Sequence, residues 1–197
     1  MQTDAIIALA KKKGVVRSAD LDSAIGASRT LLPYLAQRGV LRRIARGAYV
    51  LAGFIPEQEG FLKAAVAVPH GVFCLLSALQ YHEITTQVPN EVWVAIERGT
   101  HVPALGKIGL RIVKLTGPLF SSGMEEHESD GVTFRVYSPA KTVVDCFRFR
   151  NRVGLDVARE ALTDSLAQRK ATRDEIWRYA KICRMAKIMR PYLEMAG

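Results

Sequence analysis

The sequence of 197 residues lacks several features that mark well-defined classes of protein. No apolar run reaches the roughly 18 residues that a membrane-spanning helix requires, so the sequence predicts no such helix. The first residues place an apolar stretch before a lysine cluster, the reverse of the order in a secretory signal. The three cysteines lie far apart and form no CxxC or CxxH pair, which favours buried, reduced thiols over disulfides or metal ligands. Together these absences predict a cytoplasmic protein.

Motifs of catalysis and metal binding are also missing. The four histidines stand in no HxH, HxxxH or HExxH spacing, and neither a GxxxxGK[ST] loop nor a GxSxG turn occurs. We therefore expect no enzymatic activity, no metal ion and no cofactor. An acid/base or metal site can be assembled on paper, as it can from any chain of this length, from His82, Glu83, Glu91, Asp145 and Glu160.

The positive charge is unevenly distributed along the chain. The formal net charge is +9, with nine Lys/Arg against three Asp/Glu in residues 1–55. Residues 56–140 hold six against nine, and residues 141–197 hold thirteen against seven. A basic N-terminal quarter favours a partner that carries phosphates. In the C-terminal segment the charges alternate in sign at helical spacing, which is typical of a solvated surface.

The N-terminal quarter has the order of a winged helix-turn-helix domain. The pattern predicts a helix ending at Gly14, a short strand at Val15-Val16, and a second helix through Ile25 to Gly26. A third helix follows, capped by Ser28, with Leu31, Leu32, Leu35 and Ala36 on one face and Gly39 as its stop. Arg46-Gly47 then predicts the turn of a basic two-stranded hairpin. Such domains bind duplex DNA.

The candidate DNA-binding residues follow from that geometry. Helix-turn-helix proteins insert the start of the second helix of the pair into the major groove, which here presents Ser28, Arg29 and Thr30. Arg29 is the best base reader, since a guanidinium can bind O6 and N7 of guanine together. Backbone contacts are predicted for Tyr34 and Arg38, contacts to phosphates or to a narrow minor groove for the wing residues Arg42, Arg43 and Arg46, and phosphate contacts for Lys11, Lys12 and Lys13 at the end of the first helix. Arg17, just after that helix, is a further candidate for DNA binding. A small winged domain covers few bases, so we expect a homodimer or paired binding on an inverted repeat.

Residues 56–197 predict a second, α+β domain with a small sheet and C-terminal helices, after a winged-helix domain at 1–55. Ser138-Pro139 predicts a helix start, Thr172 with Glu175 a capping box, and Asp130-Gly131 a hairpin turn. Lys141 and Asp145 lie one helical turn apart and are expected to form an ordinary ion pair. The predicted helices are 61–68, 73–81, a helix from Ser138, 156–167, a helix after Thr172 and one near Pro191; the predicted strands are 92–96, 110–115, 124–128 and 132–137.

The sequence resembles the AbiEi-type antitoxins of abortive-infection systems over nearly its whole length. The N-terminal run GASRTLLPYLAQRGVLRRIARGAYVL is similar to their winged-helix domain. The matching segments of the second half are LLSALQYHEITTQVPNEVWVAI at Leu75–Ile96, FRVYSPAKTVVD at Phe134–Asp145 and GLDVAREAL at Gly154–Leu162.

The resemblance implies a type IV toxin–antitoxin system. Such proteins repress their own operon through inverted repeats and counter a nucleotidyltransferase-like toxin without a stable complex. It assigns DNA binding to Ser28, Arg29, Thr30 and the wing at 42–46, and it leaves Lys141, Thr142 and Asp145 either structural or antitoxic. The alternatives are a winged-helix regulator whose C-terminal domain senses a ligand or partner, and a nuclease with a DNA-binding arm.

Overall fold

The computed structural model describes residues 2–196 except 25, 27, 86, 88 and 102–108, and of residues 22–24 it describes the backbone alone. The chain divides into two compact units. The first unit comprises residues 1–69 with 128–134, and the second comprises 70–127 with 135–197. Both units mix helices and strands, so the predicted α+β class is confirmed.

The first unit follows the order of a winged helix. Its strands form an antiparallel sheet in the order β1–β3–β2, with Val16 opposite Tyr49 and Leu41 opposite Leu51. Ile25 and Ala27, which the sequence analysis placed in the second helix and the following link, lie outside the described residues. The elements are α1 Gln2–Lys13, β1 Val16–Arg17, α2 Ser18–Ala24, α3 Leu31–Gln37, β2 Leu41–Ala45, β3 Ala48–Leu51 and α4 Glu59–Ala67.

The predicted glycine stop and hairpin turn are confirmed. Gly39, with φ of +72°, ends the α3 segment in the left-handed conformation that glycine adopts cheaply. Gly47, at +74°, completes the two-residue loop between β2 and β3. These positive φ values explain why the basic hairpin begins and ends where the sequence predicts.

The start of α3 differs from the prediction. The helix begins at Leu31 with Thr30 as its N-cap, and no side chain caps it. Ser28 instead closes a local turn: its Oγ accepts a hydrogen bond from the Thr30 N–H at 3.3 Å, and its carbonyl accepts one from Leu31 N at 3.0 Å. The predicted cap role of Ser28 is therefore wrong, because its side chain bonds the backbone two residues on instead.

The first unit extends beyond the predicted domain. The sequence analysis ended it at residue 55, whereas helix α4 packs against β2 and residues 56–69 group with the first unit. A buried cluster holds the winged helix together, with Ile6, Leu21, Leu32 and Leu35 among its fully or almost fully buried members. Amphipathic α1 and α3 thus cover the sheet through the apolar faces that the sequence predicts.

The second unit contains the remaining elements. Its sheet has the order β6–β5–β4–β8–β7, in which β4 pairs with β5 antiparallel and with β8 parallel, and β5 pairs with β6 parallel. Residues 128–134, the end of β7, the turn and the start of β8, group with the first unit. The elements are β4 Val72–Phe73, α5 Leu75–Tyr81, β5 Val92–Glu97, β6 Leu110–Leu115, α6 Pro118–Ser121, β7 Met124–Ser129, β8 Val132–Tyr137, α7 Pro139–Arg148, α8 Arg150–Val153, α9 Leu155–Ala167, α10 Arg173–Ile182 and α11 Ala186–Met195.

The central strand β4 corrects the predicted helix at 73–81. Phe73 lies opposite Val94 on one side and Val136 on the other, and the N–H of Cys74 donates to the Trp93 carbonyl at 3.1 Å. Pairing with both neighbouring strands outweighs the helical preference of this short segment. The helix begins only at Leu75.

The predicted helix signals of the second unit are confirmed. Ser138 accepts a bond from the N–H of Lys141 ahead of Pro139, and Thr172 forms a reciprocal capping box with Glu175. These signals are local, because each satisfies backbone groups within one turn of its own helix. The core of this unit surrounds α7, where every residue from 140 to 147 is buried.

Candidate nucleic-acid interface

The turn before α3 presents polar side chains to solvent. Ser28, Arg29 and Thr30 are exposed, and the hydroxyls of Ser28 and Thr30 lie 2.7 Å apart. The opposite face of α3 is anchored by Leu32 and Leu35 in the core of the first unit. The arrangement therefore offers two hydroxyls and a guanidinium at the leading end of the helix that a helix-turn-helix inserts into DNA.

Tyr34 and Arg38 continue this exposed face one turn apart. Nε of Arg38 donates to the Tyr34 hydroxyl at 3.2 Å, and its guanidinium lies 5.3 Å from the centre of the tyrosine ring. Tyr34 remains 49% exposed. The ring orients the arginine beside the helix, where it can contact a phosphate of the DNA backbone.

The wing places two more arginines in solvent. Arg43 and Arg46 are exposed, while Ile44 and Ala45 between them are buried. Nε of Arg43 donates to the carbonyl of Ala45 at 3.2 Å, which leaves other N–H groups of its guanidinium for an external acceptor. The hairpin thus carries its positive charge on the side away from the core.

Arg42, the other predicted wing contact, is engaged within the protein. Its guanidinium binds Glu59 through two bonds, from Nη1 to Oε1 at 2.9 Å and from Nη2 to Oε2 at 2.8 Å, and also donates to the carbonyl of Phe54. These bonds, with the ion pair from Lys63, lower the pKa of Glu59 to about 2. Arg42 therefore connects the wing to α4, a partner that sequence reasoning missed because Glu59 lies 17 residues away without a local signal.

The end of α1 combines exposed and paired basic residues. Lys11 and Lys12 are exposed, whereas Lys13 donates to Asp20 at 2.8 Å. Arg17 donates its backbone N–H to the same carboxylate at 2.7 Å. Burial raises the pKa of Asp20, but the bonds from Lys13 and Arg17 outweigh it, so that the pKa is lowered overall. Lys13 and Arg17 thus stabilise the link between α1 and α2.

The Lys141, Thr142 and Asp145 motif lies in the core of the second unit. All three side chains are buried, with Lys141 Nζ 2.5 Å from an Asp145 oxygen and 4.3 Å from the centre of the Tyr137 ring. The Thr142 hydroxyl donates to the Tyr137 carbonyl at 3.1 Å. Desolvation raises the pKa of Asp145 even though Lys141 counters it. This burial favours the structural role of the motif over direct contact with a partner.

Four of the five residues of the acid/base alternative have separate partners, and Glu83 lies 3.5 Å from Lys170. Asp145 pairs with Lys141, Glu91 lies 2.9 Å from Arg111, and the His82 ring bonds the carbonyl of Tyr137 at 2.8 Å. Within the described ranges, no group of three or more His, Cys, Asp and Glu residues is placed to hold a metal ion. The three cysteines are buried and unbridged, as predicted.

None of the helices in the described residues combines the length and the apolar character that spanning a bilayer demands.

The exposed basic face of the first unit lies in a segment that matches a known protein family. Residues 4–52 match the family model described as "Transcriptional regulator, AbiEi antitoxin". The resemblance to the AbiEi-type antitoxins is confirmed over these residues of the first unit. The matched segment runs from α1 into the residue after β3, and it contains the α3 turn and the wing arginines.

The fold is also similar to a solved structure. The crystal structure of the RV2827C protein from Mycobacterium tuberculosis superposes with a TM-score of 0.62 at 13% sequence identity, covering 98% of this chain and 76% of that chain. A likeness at this identity concerns the fold alone, which it supports across both units. No curated protein matches the sequence.

Proposed function

We propose that this protein is the antitoxin and transcriptional autorepressor of a type IV toxin–antitoxin operon. The supporting observation is the exposed basic face of the winged helix, formed by the turn before α3, the Tyr34–Arg38 pair and the wing arginines. The family match to antitoxin regulators covers the residues that build this face. The proposal assigns no catalytic step and no cofactor to the chain.

In the proposed complex, α3 enters the major groove by its N-terminal end. Arg29 reads guanine, while Ser28 and Thr30 bind a base or a phosphate. Arg43 and Arg46 follow the backbone or the adjacent minor groove. Two copies occupy the halves of an inverted repeat, because a single winged domain contacts too few bases for a specific site.

The antitoxin role is proposed for the second unit. There the protein counters a nucleotidyltransferase-like toxin without forming a stable complex with it. The sensor alternative stays distinguishable by genetics, because a nucleotidyltransferase gene beside this one supports the antitoxin, and an enzyme or transporter gene supports the sensor.

Binding to the protein's own promoter tests the regulatory half of the proposal. A mobility-shift titration should show tighter binding to promoter DNA than to a shuffled duplex of equal length. Arg29→Ala should weaken promoter binding by about 1–3 kcal/mol and reduce the preference for the promoter. The matched control is Arg159→Ala, an exposed arginine on α9 that should leave affinity unchanged. Equal affinity for both duplexes would refute sequence-specific repression.

Co-expression with the adjacent gene product tests the antitoxic half. The full chain should restore growth of cells that express the toxin. The Arg29→Ala variant, carried on a heterologous promoter, should still rescue growth, because antitoxicity is assigned to the second unit. Absence of rescue by the wild-type chain at confirmed expression would leave a regulator without antitoxic function.

A further inference from the structure

A cleft in the second unit is lined by basic and apolar residues that the proposed function does not use. Its volume is about 400 Å³, within the range of roughly 300–1,000 Å³ that is typical of small-molecule sites. Three pieces of the fold meet there: the loop that leads into α6, the end of α7 and the turn between α10 and α11. The lining residues are Thr116, Gly117, Pro118, Leu119, Arg148, Ile182, Cys183 and Arg184.

Two arginines give the cleft its charge. Nη1 of Arg148 donates to the carbonyl of Cys183 at 3.1 Å, which fixes the guanidinium against the turn that carries Arg184. A guanidinium has five N–H donors, so the remaining N–H groups of Arg148 can serve a ligand. None of the described residues that line the cleft is an acid. Two exposed arginines that line one cleft without a carboxylate among its lining residues suit a phosphate group, which a guanidinium binds through two parallel bonds.

The remainder of the lining is largely apolar. Pro118 is exposed, Leu119 is half-buried, and Ile182 is 37% exposed although its side chain is large and apolar. An exposed apolar surface beside two guanidinium groups fits a ligand with a flat, weakly polar portion and a strongly anionic portion. Nucleoside phosphates have this chemistry, since the base supplies the flat surface and the phosphates supply the charge.

Arg184 has a left-handed backbone conformation, which is unfavourable for a residue other than glycine. Its φ is +56°, and it follows α10 at the position where a left-handed glycine usually ends a helix. The backbone bond from its N–H to the carbonyl of Lys181, at 3.1 Å, fixes this conformation. Arg169 occupies the corresponding position after α9 with φ of +58°, but it does not line the cleft. The two sites therefore form a matched pair for experiment.

We propose that this cleft binds a nucleoside triphosphate, with its phosphates on Arg148 and Arg184 and its base against Leu119 and Ile182. The inference is independent of DNA binding, because every residue of the cleft belongs to the second unit.

Calorimetric titration of the full chain with ATP, GTP, tripolyphosphate and adenosine tests the proposal. A nucleoside triphosphate should bind more tightly than tripolyphosphate, and adenosine more weakly than either, because the site requires both portions. Tripolyphosphate that binds as tightly as the nucleotides would overturn the contact with the base. Failure of both nucleotides to bind at millimolar concentration would overturn the site itself.

Two glycine variants locate the binding. Arg184→Gly removes the guanidinium from a position that favours glycine, so the variant should stay folded while nucleotide affinity falls at least about tenfold. Arg169→Gly makes the same backbone change outside the cleft and should bind nucleotide like the wild type. Equal binding by Arg184→Gly and wild type would exclude this cleft.

A charge-conserving change and a DNA-binding assay complete the test. Arg148→Lys keeps the positive charge but loses the planar guanidinium that binds a phosphate through two parallel bonds. It should therefore weaken nucleotide binding by a smaller factor than Arg184→Gly. Unchanged nucleotide binding by Arg148→Lys would contradict the two-arginine assignment. Promoter binding by Arg184→Gly should equal that of the wild type, which separates failure of this inference from failure of the proposed repressor.

Discussion

The two units of the molecule use basic residues in opposite ways. In the winged helix, Arg43 and Arg46 are exposed to solvent. The side chain of Arg42 is 39% exposed even though it is paired with Glu59. In the second unit, Lys141 and Asp145 form an ion pair that is buried completely or nearly so. Residue type alone therefore does not determine the role of a charged side chain. Solvent exposure decides whether that charge attracts an external phosphate or organises the interior.

The buried pair also depends more heavily on its partner. Water would hydrate Arg42 if Glu59 were removed, but it cannot reach Asp145 in the intact core. One Asp145 oxygen, Oδ1, has no hydrogen-bond partner among the described residues. Removing either member therefore leaves a charge that is neither hydrated nor paired, whereas replacing both members with apolar residues leaves none.

The largest effect is expected from Lys141→Ala. The substitution leaves the Asp145 carboxylate buried without its partner and should lower the free energy of unfolding by about 3–5 kcal/mol in urea denaturation. The double variant Lys141→Met with Asp145→Leu should recover most of that stability. A loss below about 1 kcal/mol in the single variant would show that the buried Asp145 carboxylate does not require Lys141 as its partner.

The glycine beside this lysine gives a second contrast between the units. A Cβ at Gly123, whose φ is +72°, would meet the Lys141 Cβ at 2.8 Å. Gly53 in the first unit has φ of +86° and no described atom within 4 Å of such a Cβ. Gly123→Ala should therefore destabilise by about 2–3 kcal/mol, and Gly53→Ala by about 1 kcal/mol, since only the former adds a clash to the backbone strain. Thermal unfolding of both variants measures the difference, and equal losses would contradict it.

The sequence predicts elements whose signals are local. Gly47 at the wing turn, Asp130-Gly131 at the second hairpin and Thr172 at its capping box each fix a backbone conformation within a few residues. Strand β4 has no such signal. Its two residues are held by two distant strands, and a pattern of period two cannot be recognised over so short a segment.

The candidate site shows the same division. The exposure of Arg43 is predictable from its charge, because an arginine without a buried partner rarely lies in a core, although burial does not alternate along β2 and the register shifts between Arg43 and Ala45. The bidentate bond between Arg42 and Glu59 is not predictable, because α4 folds back on the wing from a segment with no local link to it. The burial of the Lys141–Asp145 pair was also missed, because Lys141, Asp145 and Arg148 share one polar face of α7, a pattern typical of a solvated face, whereas every residue from 140 to 147 is buried.

The Arg42–Glu59 pair should make the stability of the protein depend on pH. Glu59 has a pKa of about 2 in the folded protein against 4.5 ordinarily, so its contribution is complete above pH 4.5 and is lost as the pH falls toward 2. After discounting for solvent screening, the loss should be about 1–2 kcal/mol. Urea denaturation curves between pH 6 and pH 2 measure this loss, because Glu59 protonates near pH 4.5 in the unfolded chain and near pH 2 in the folded protein.

Two variants isolate that contribution. Glu59→Gln should remove this part of the acid sensitivity, while the exposed Glu57→Gln should retain it. If both variants follow the wild-type pH profile, Glu59 does not stabilise the wing through its carboxylate.

The smallest expected effect compares Arg46 with Arg42 on promoter DNA. Each phosphate contact that is lost should reduce the slope of log affinity against log salt by about 0.9, so Arg46→Ala should flatten that slope by nearly one. Arg42→Ala should leave the slope almost unchanged and reduce stability instead, because Glu59 already holds its guanidinium. Fluorescence anisotropy at several salt concentrations measures both slopes. Equal flattening would mean that Arg42 exchanges its carboxylate for a phosphate on binding, and the distinction between exposed and engaged wing arginines would then fail.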